Sequence, residues 1–320
     1  MVTFEHKLMK KVTISFFVLL LAGVSVEARR SGSKTVELTL HPSKAPVPAH
    51  KYRLVPSSDE QTDAEAALLY EKAIQSLPNN PVVQKKMREW RSTPTDQLPR
   101  QEVLSALQKF EPALQLVEQA ARCKQCQWPA MATGPVTDAH MKDLAKYRDL
   151  AFALDIQARL QIEQGQFEEA ISTLQTSLGM GKHLGDGPTL VQGMVGISAA
   201  ALSLRRIEEM IQRRDAPNLY WALQDLPQPP VDLTKTMASE MANLKNYNLL
   251  IRRQFEKQLK PTHEHIRLQM GELTRKIVAL QCIEALCLYA GVHNDSFPNK
   301  LSDVTEVPIP DDPVDQKPFV

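Results

Sequence analysis

Four cysteines carry the most chemistry this chain offers, and their spacing narrows what that chemistry can be. Cys123-Lys124-Gln125-Cys126 is a CxxC pair, and Cys282 and Cys287 lie far along the chain. A redox CxxC sits at a helix N-terminus, where the dipole lowers the thiol pKa. Here the preceding apolar periodicity puts the pair at a helix end, just before Trp128-Pro129. A c-type haem attachment needs histidine as the next residue, and Gln127 stands there. Zinc held by all four cysteines would use a C-x4-C half that departs from the usual ligand spacing. Cys123, Cys126, Cys282 and Cys287 are therefore read as possible disulfide partners or buried thiols, ahead of metal or redox roles.

Other constellations are weaker. His263-Glu264-His265 suggests a ligand pair, but residues two apart on a helix point to different faces. A solvated helix start after Pro261 is the expectation there. His140 and His183 stand alone. Asp311, Asp312 and Asp315 could wrap a calcium ion together with backbone carbonyls. Proline-fixed turns that use aspartate as a local cap account for the same residues. No Gly-x-Ser-x-Gly, P-loop, HExxH or GxGxxG occurs. The glycine-rich run Gly181 to Gly187 lacks the order of a phosphate loop and is read as an inter-helix connection. No catalytic residue, cofactor or metal is assigned on these grounds.

The elements that must position these side chains are helical. Aromatic residues make up 6% of the chain and glycines number only 12, which disfavours an all-β fold. A balance of 38 basic against 37 acidic residues argues against a nucleic-acid binder working through a bulk field. Helical periodicity starts at Asp63 as an N-cap and stops at Pro78 to Pro81. Further helices are expected over 82–91, over 100–127 with a kink or break at Pro112, and over 144–162 ending at Gly165. The next runs from Phe167 to the vicinity of Gly179 to Gly181. Residues 188–213 follow, unusually apolar, with Gly193, Gly196, Ala199 and Ala200 allowing close helix approach. Its apolar core is shorter than the ~20 residues a membrane span needs. A short helix over 216–226 precedes a polar one from 231 to 260, which Pro261 interrupts, and helix resumes over 264–290.

At the N-terminus, Lys7, Lys10 and Lys11 precede the apolar run Val12 to Val24, and Val26-Glu27-Ala28 offers a cleavage site after Ala28. This is the layout of a secretory signal. It implies an exported protein, periplasmic or secreted, with no stable membrane span after cleavage. Residues 29–61, with prolines at 42, 46, 48 and 56, read as an extended linker in which 35–40 could form one strand.

Gln164-Gly165-Gln166-Phe167-Glu168-Glu169-Ala170-Ile171 resembles the turn and second helix of a tetratricopeptide repeat, and the likeness spans 153–181. Gly165 would supply the turn and Ala158 and Ala170 the crossing. Gln157, Gln161 and Lys182 depart from that pattern. The wider chain, over most of 50–320, resembles a family of exported planctomycete proteins with no established activity. Cys126-Gln127-Trp128, Gly187 to Val191, Ala216 to Leu223, and Phe297 to Leu301 with Pro310 to Phe319 carry that likeness. The tail is similar to the end of type II secretion pseudopilins, which suggests a structural cap. Together these imply an all-α fold, an irregular helix-hairpin array of α-solenoid type. Residues 62–230 would form a repeat-like domain, 231–290 long helices packed on it, and 291–320 a proline-rich irregular tail. The expected function is a scaffold for protein or peptide partners. The alternatives are an envelope enzyme, hydrolytic in character, with its site in the inter-helix cleft, and a purely structural envelope protein.

Overall fold

The computed structural model describes residues 37–128, 138–243, 249–314 and 316–319. The expected signal segment with its cut after Ala28 lies outside them. The chain separates into the units Met1–Leu38 and Thr39–Val320, and every element below belongs to the second.

The fold is all-α apart from one small strand pair. Strand β1 (Thr62–Glu65) pairs in parallel with β2 (Cys123–Gln125). This pairing overturns Asp63 as a helix cap. Helix α1 (Ala66–Gln75) starts three residues later, with the Glu65 side chain accepting from the Ala67 N–H. In the next connection Asn80 accepts from the N–H groups of Val82 and Val83, ahead of α2 (Pro81–Trp90). Helix α3 (Arg100–Ala121) runs through Pro112, which is exposed, so water can take the carbonyl that proline leaves free. The same holds for α9 (Leu249–Val292), where exposed Pro261 interrupts nothing. A proline on the wet side of a well-packed helix is tolerated, and both expected breaks are absent.

Helix α4 (Asp138–Glu163) joins α5 (Phe167–Gly185) through a tight turn. Gly165 has φ +73°, and the Gln166 N–H reaches the Gln161 carbonyl while the Gly165 N–H reaches that of Ile162. This is the Schellman stop, which requires a left-handed residue at its centre. Helix α5 then continues four residues beyond the expected end at Gly181, so the glycine-rich run is largely helical. The reason is its neighbour α6 (Leu190–Ile211), capped by Thr189 accepting from the Gln192 N–H. A Cβ at Gly196 would fall 2.4 Å from the Gly181 carbonyl oxygen. The two backbones touch there, as the small residues of 193–200 lead one to expect. Short α7 (Tyr220–Gln224), α8 (Thr234–Asn243) and α9 complete the body.

Packing follows chain order. Helix α3 meets α4 and α5, α4 meets α5 and α6, and α6 passes the stack on to α8 and α9. From α2 to α4 each helix touches its successor and the one after, the nearest-neighbour pattern of a helical stack, whereas α1 packs chiefly on α3 and α7 on α9. One apolar cluster fills the α1–α4 end around Tyr70, Phe110 and Leu150. A second spans α5, α6 and α9 around Leu174, Leu204 and Ile277. A third, around Tyr220, Leu288, Val304 and Val307, seats the C-terminal tail on α7 and α9.

Residues 39–61, the described part of the expected linker, have no helix, and 37–40 form no strand. They are nevertheless held. Leu54 is 1% exposed and joins the second core cluster with Leu40, Tyr52 and Val55 beside it. The Ser43 N–H donates to the Cys287 carbonyl at 2.9 Å. The segment is a strap across the helical body.

Candidate functional site

Among the described residues, three places gather buried ionisable groups around a cysteine, glutamate or histidine, and each is defined by what holds it. The first surrounds the CxxC. Cys123 lies on β2 directly after α3, and Cys126 follows the strand. The Tyr70 hydroxyl and His183 Nδ1 are 3.0 Å apart, and the Trp128 indole N–H donates to the His183 carbonyl. Tyr70 stacks on Trp128, and Tyr147 meets both rings edge-on. Burial lowers the His183 pKa to about 4, so the imidazole is neutral. Burial also pushes the Cys126 thiol far up, with Glu65 and Asp186 adding to it. A thiol raised in this way is a poor nucleophile. All four cysteines are free; Cys123, Cys282 and Cys287 are buried and Cys126 is half-buried. No disulfide joins any two of them.

The second place is under the strap. Glu284 of α9 is 2% exposed. Its Oε1 accepts from the Leu219 N–H at 2.9 Å, and its Oε2 accepts from Asn218 Nδ2 at 2.6 Å. Asn218 also donates to Ser43 Oγ and accepts from the Tyr220 N–H, capping α7. Burial raises the Glu284 pKa to about 8, against the downward pull of the Leu219 N–H. Nearby Cys287 is raised to about 12 by burial and by Glu284. A small cleft opens here, lined by His41, Ser43, Asp215, Glu284 and Cys287. Both carboxylate oxygens are occupied by the protein's own donors, so this group joins strap, α7 and α9 instead of facing a ligand.

The third place corrects an expectation. His263 is not solvated: it is 5% exposed, whereas Glu264 and His265 are exposed. Its Nε2 lies 3.9 Å from Oε2 of Glu240 on α8 and has no hydrogen bond among the described residues. The other oxygen, Oε1, accepts from the Leu190 N–H at the start of α6. Burial raises the Glu240 pKa and lowers that of His263, with Arg267 adding to the latter. The sequence held a signal for this pair, since Ile266, Met270 and Leu273 continue the apolar stripe on which His263 lies.

The aspartate cluster of the tail is only partly described, because Asp315 lies outside the described residues. Asp312 is buried, ion-pairs with Arg275 at 2.7 Å and caps the Val314 N–H, while Asp311 is exposed. Asp312 therefore does the work of a local cap and of a tether to α9. Among the described residues no three His, Cys, Asp or Glu side chains lie close enough to hold a metal ion. No helix among them is long and apolar enough to cross a membrane.

A buried charge network went unnoticed in the sequence. Arg206 of α6 donates to Asp155 of α4 at 2.7 Å, with side chains 2% and 1% exposed. Arg159, one turn along α4, donates to the carbonyls of Trp90 and Thr93 and to Thr95 Oγ1. Charged residues inside the otherwise apolar stripes of α4 and α6 were the available signal. Comparison with protein-family models, with curated proteins and with solved structures gives no match.

Proposed function

We propose that the chain is an exported helical scaffold that binds a protein or peptide along its stack of helix pairs. The supporting observation is the packing order, in which α3 and α4 each rest on the next two helices and α5 rests on α6, so that helix pairs are laid one on the next. The exposed large apolar residues Leu68 on α1, Val82 on α2 and Leu104 on α3 add contact area of the kind partners cover. The turn at Gly165 keeps the resemblance to a tetratricopeptide hairpin as part of this reading. Export rests on the N-terminal sequence. The test is recovery of a partner from envelope extracts on wild-type protein together with its loss on a Leu68→Asp, Leu104→Asp variant that still folds. Equal recovery on both proteins would overturn the reading for this surface.

A second reading, an envelope hydrolase, draws on the His263–Glu240 pair, a desolvated imidazole facing a carboxylate where α8 and α9 meet the start of α6. A His263→Gln variant that loses a measured esterase or peptidase activity, while keeping its unfolding midpoint, would favour it over the scaffold.

A further inference from the structure

The seam between α2 and α4 collects more positive charge than it neutralises. Arg88 and Arg91 stand at the end of α2, and Arg148 stands on α4 beside Asp149. Arg88 is matched: its guanidinium forms a fork with the Asp149 carboxylate at 2.9 and 2.8 Å. Arg91 has no carboxylate and lies over the Phe152 ring, 4.9 Å from its centre. Arg148 makes no hydrogen bond or ion pair with the described residues, and its Nε is buried without a partner. Burial, together with the nearby Arg88 and Arg91, lowers the Arg148 pKa in spite of Asp149. Three guanidiniums thus stand beside one carboxylate, which only Arg88 engages.

Two features separate this seam from an ordinary solvated surface. A partly desolvated guanidinium without an acceptor is costly, and a ligand carboxylate at the open Nη end of Arg148 would offset that cost. The Phe152 ring holds the Arg91 guanidinium in place, and a guanidinium positioned in advance suits a carboxylate partner. The balanced charge of the whole chain, +1, makes a polyanion such as nucleic acid a poor match, whereas a local excess of two charges matches one or two carboxylates.

We infer that Arg91 and Arg148 form the recognition point for an acidic side chain of a bound peptide. This rests on the scaffold reading above and assigns it a ligand class. The buried Arg159 and Arg206 are committed to backbone carbonyls and to Asp155, so they hold the seam in place without facing the ligand.

The experiment is a fluorescence-anisotropy titration of the full chain with a labelled glutamate-rich peptide and its glutamine counterpart, at low and high salt. The acidic peptide is expected to bind more tightly and to weaken with salt. Arg148→Gln and Arg91→Gln should each weaken it by about tenfold or more, one decade being about 1.4 kcal/mol. Arg148→Lys keeps the charge but not the fork and should recover only part of the loss. Unfolding midpoints of the variants confirm that they fold. Equal binding of both peptides, or variants that bind as wild type does, would overturn the inference and leave the scaffold reading standing. Failure of every peptide, apolar ones included, would overturn both.

Discussion

Glu284 gives the sharpest handle on how this body is held together. It lies inside α9 at 2% exposure, and its two oxygens hold the Leu219 N–H and the Asn218 amide. Burial moves its pKa from 4.5 to about 8. An acid whose folded pKa exceeds its unfolded value binds more protons when folded, so stability falls as pH rises between the two values. Its contribution is complete below 4.5 and is lost by about pH 8. At about 1.4 kcal/mol per pH unit, that window is worth about 5 kcal/mol. A whole domain typically has about 5–15 kcal/mol of stability, so the effect is large enough to read. Glu284→Gln abolishes the titration and keeps a carbonyl acceptor for the Leu219 N–H. Urea unfolding of both proteins across pH 5 to 9 supplies the measurement, taken as their difference so that His183 and other groups cancel. Wild type should lose stability relative to the variant as pH rises, with a slope approaching about 1.4 kcal/mol per unit, and level off above the folded pKa. A difference that stays flat would refute the desolvation of Glu284, and one that rises would show that its hydrogen bonds outweigh its burial.

Three further outcomes follow from the packing. Gly196→Ala should destabilise by about 1–3 kcal/mol, because the new methyl meets a carbonyl of α5 that cannot swing away; calorimetry reads it. Arg206→Met strands Asp155 as a buried charge and should cost about 3–5 kcal/mol, whereas Arg206→Met with Asp155→Leu should recover most of that. Leu54→Ala should cost about 2–5 kcal/mol in urea unfolding if the strap belongs to the cooperative body, and an unchanged midpoint would detach it.

The helices were legible where one face is apolar and the other wet. Regular runs such as Leu150, Leu154 and Ala158, or Ala170, Ile171 and Leu174, gave α4 and α5 directly, and small residues marked the α5–α6 crossing. Misreadings arose where solvent or distance decided. Pro112 and Pro261 looked like breaks, yet both lie on exposed faces. The run Gly181 to Gly187 looked like a connection, yet it is helical through Gly185, with Gly181 set against the α6 backbone at Gly196. The strap could not be read as fixed, because its anchors at Cys287 and Asn218 are remote in sequence. The same remoteness hid Glu284 beneath Asn218-Leu219-Tyr220. That tripeptide stood out as part of a shared motif without its partner being visible. The burial of His263 is hidden locally because Glu264 and His265 beside it are exposed, and the carboxylate it faces, Glu240, sits on another helix.

The most direct test of the scaffold function is selection of a displayed-peptide library on the folded full chain, followed by titration of the enriched sequences. The expected result is a small set of related peptides that bind saturably at one site, carry at least one acidic residue, and lose affinity on the Arg91 and Arg148 variants. A library that shows no enrichment on the folded protein over the unfolded one, or peptides that return cleaved, would contradict a binding scaffold.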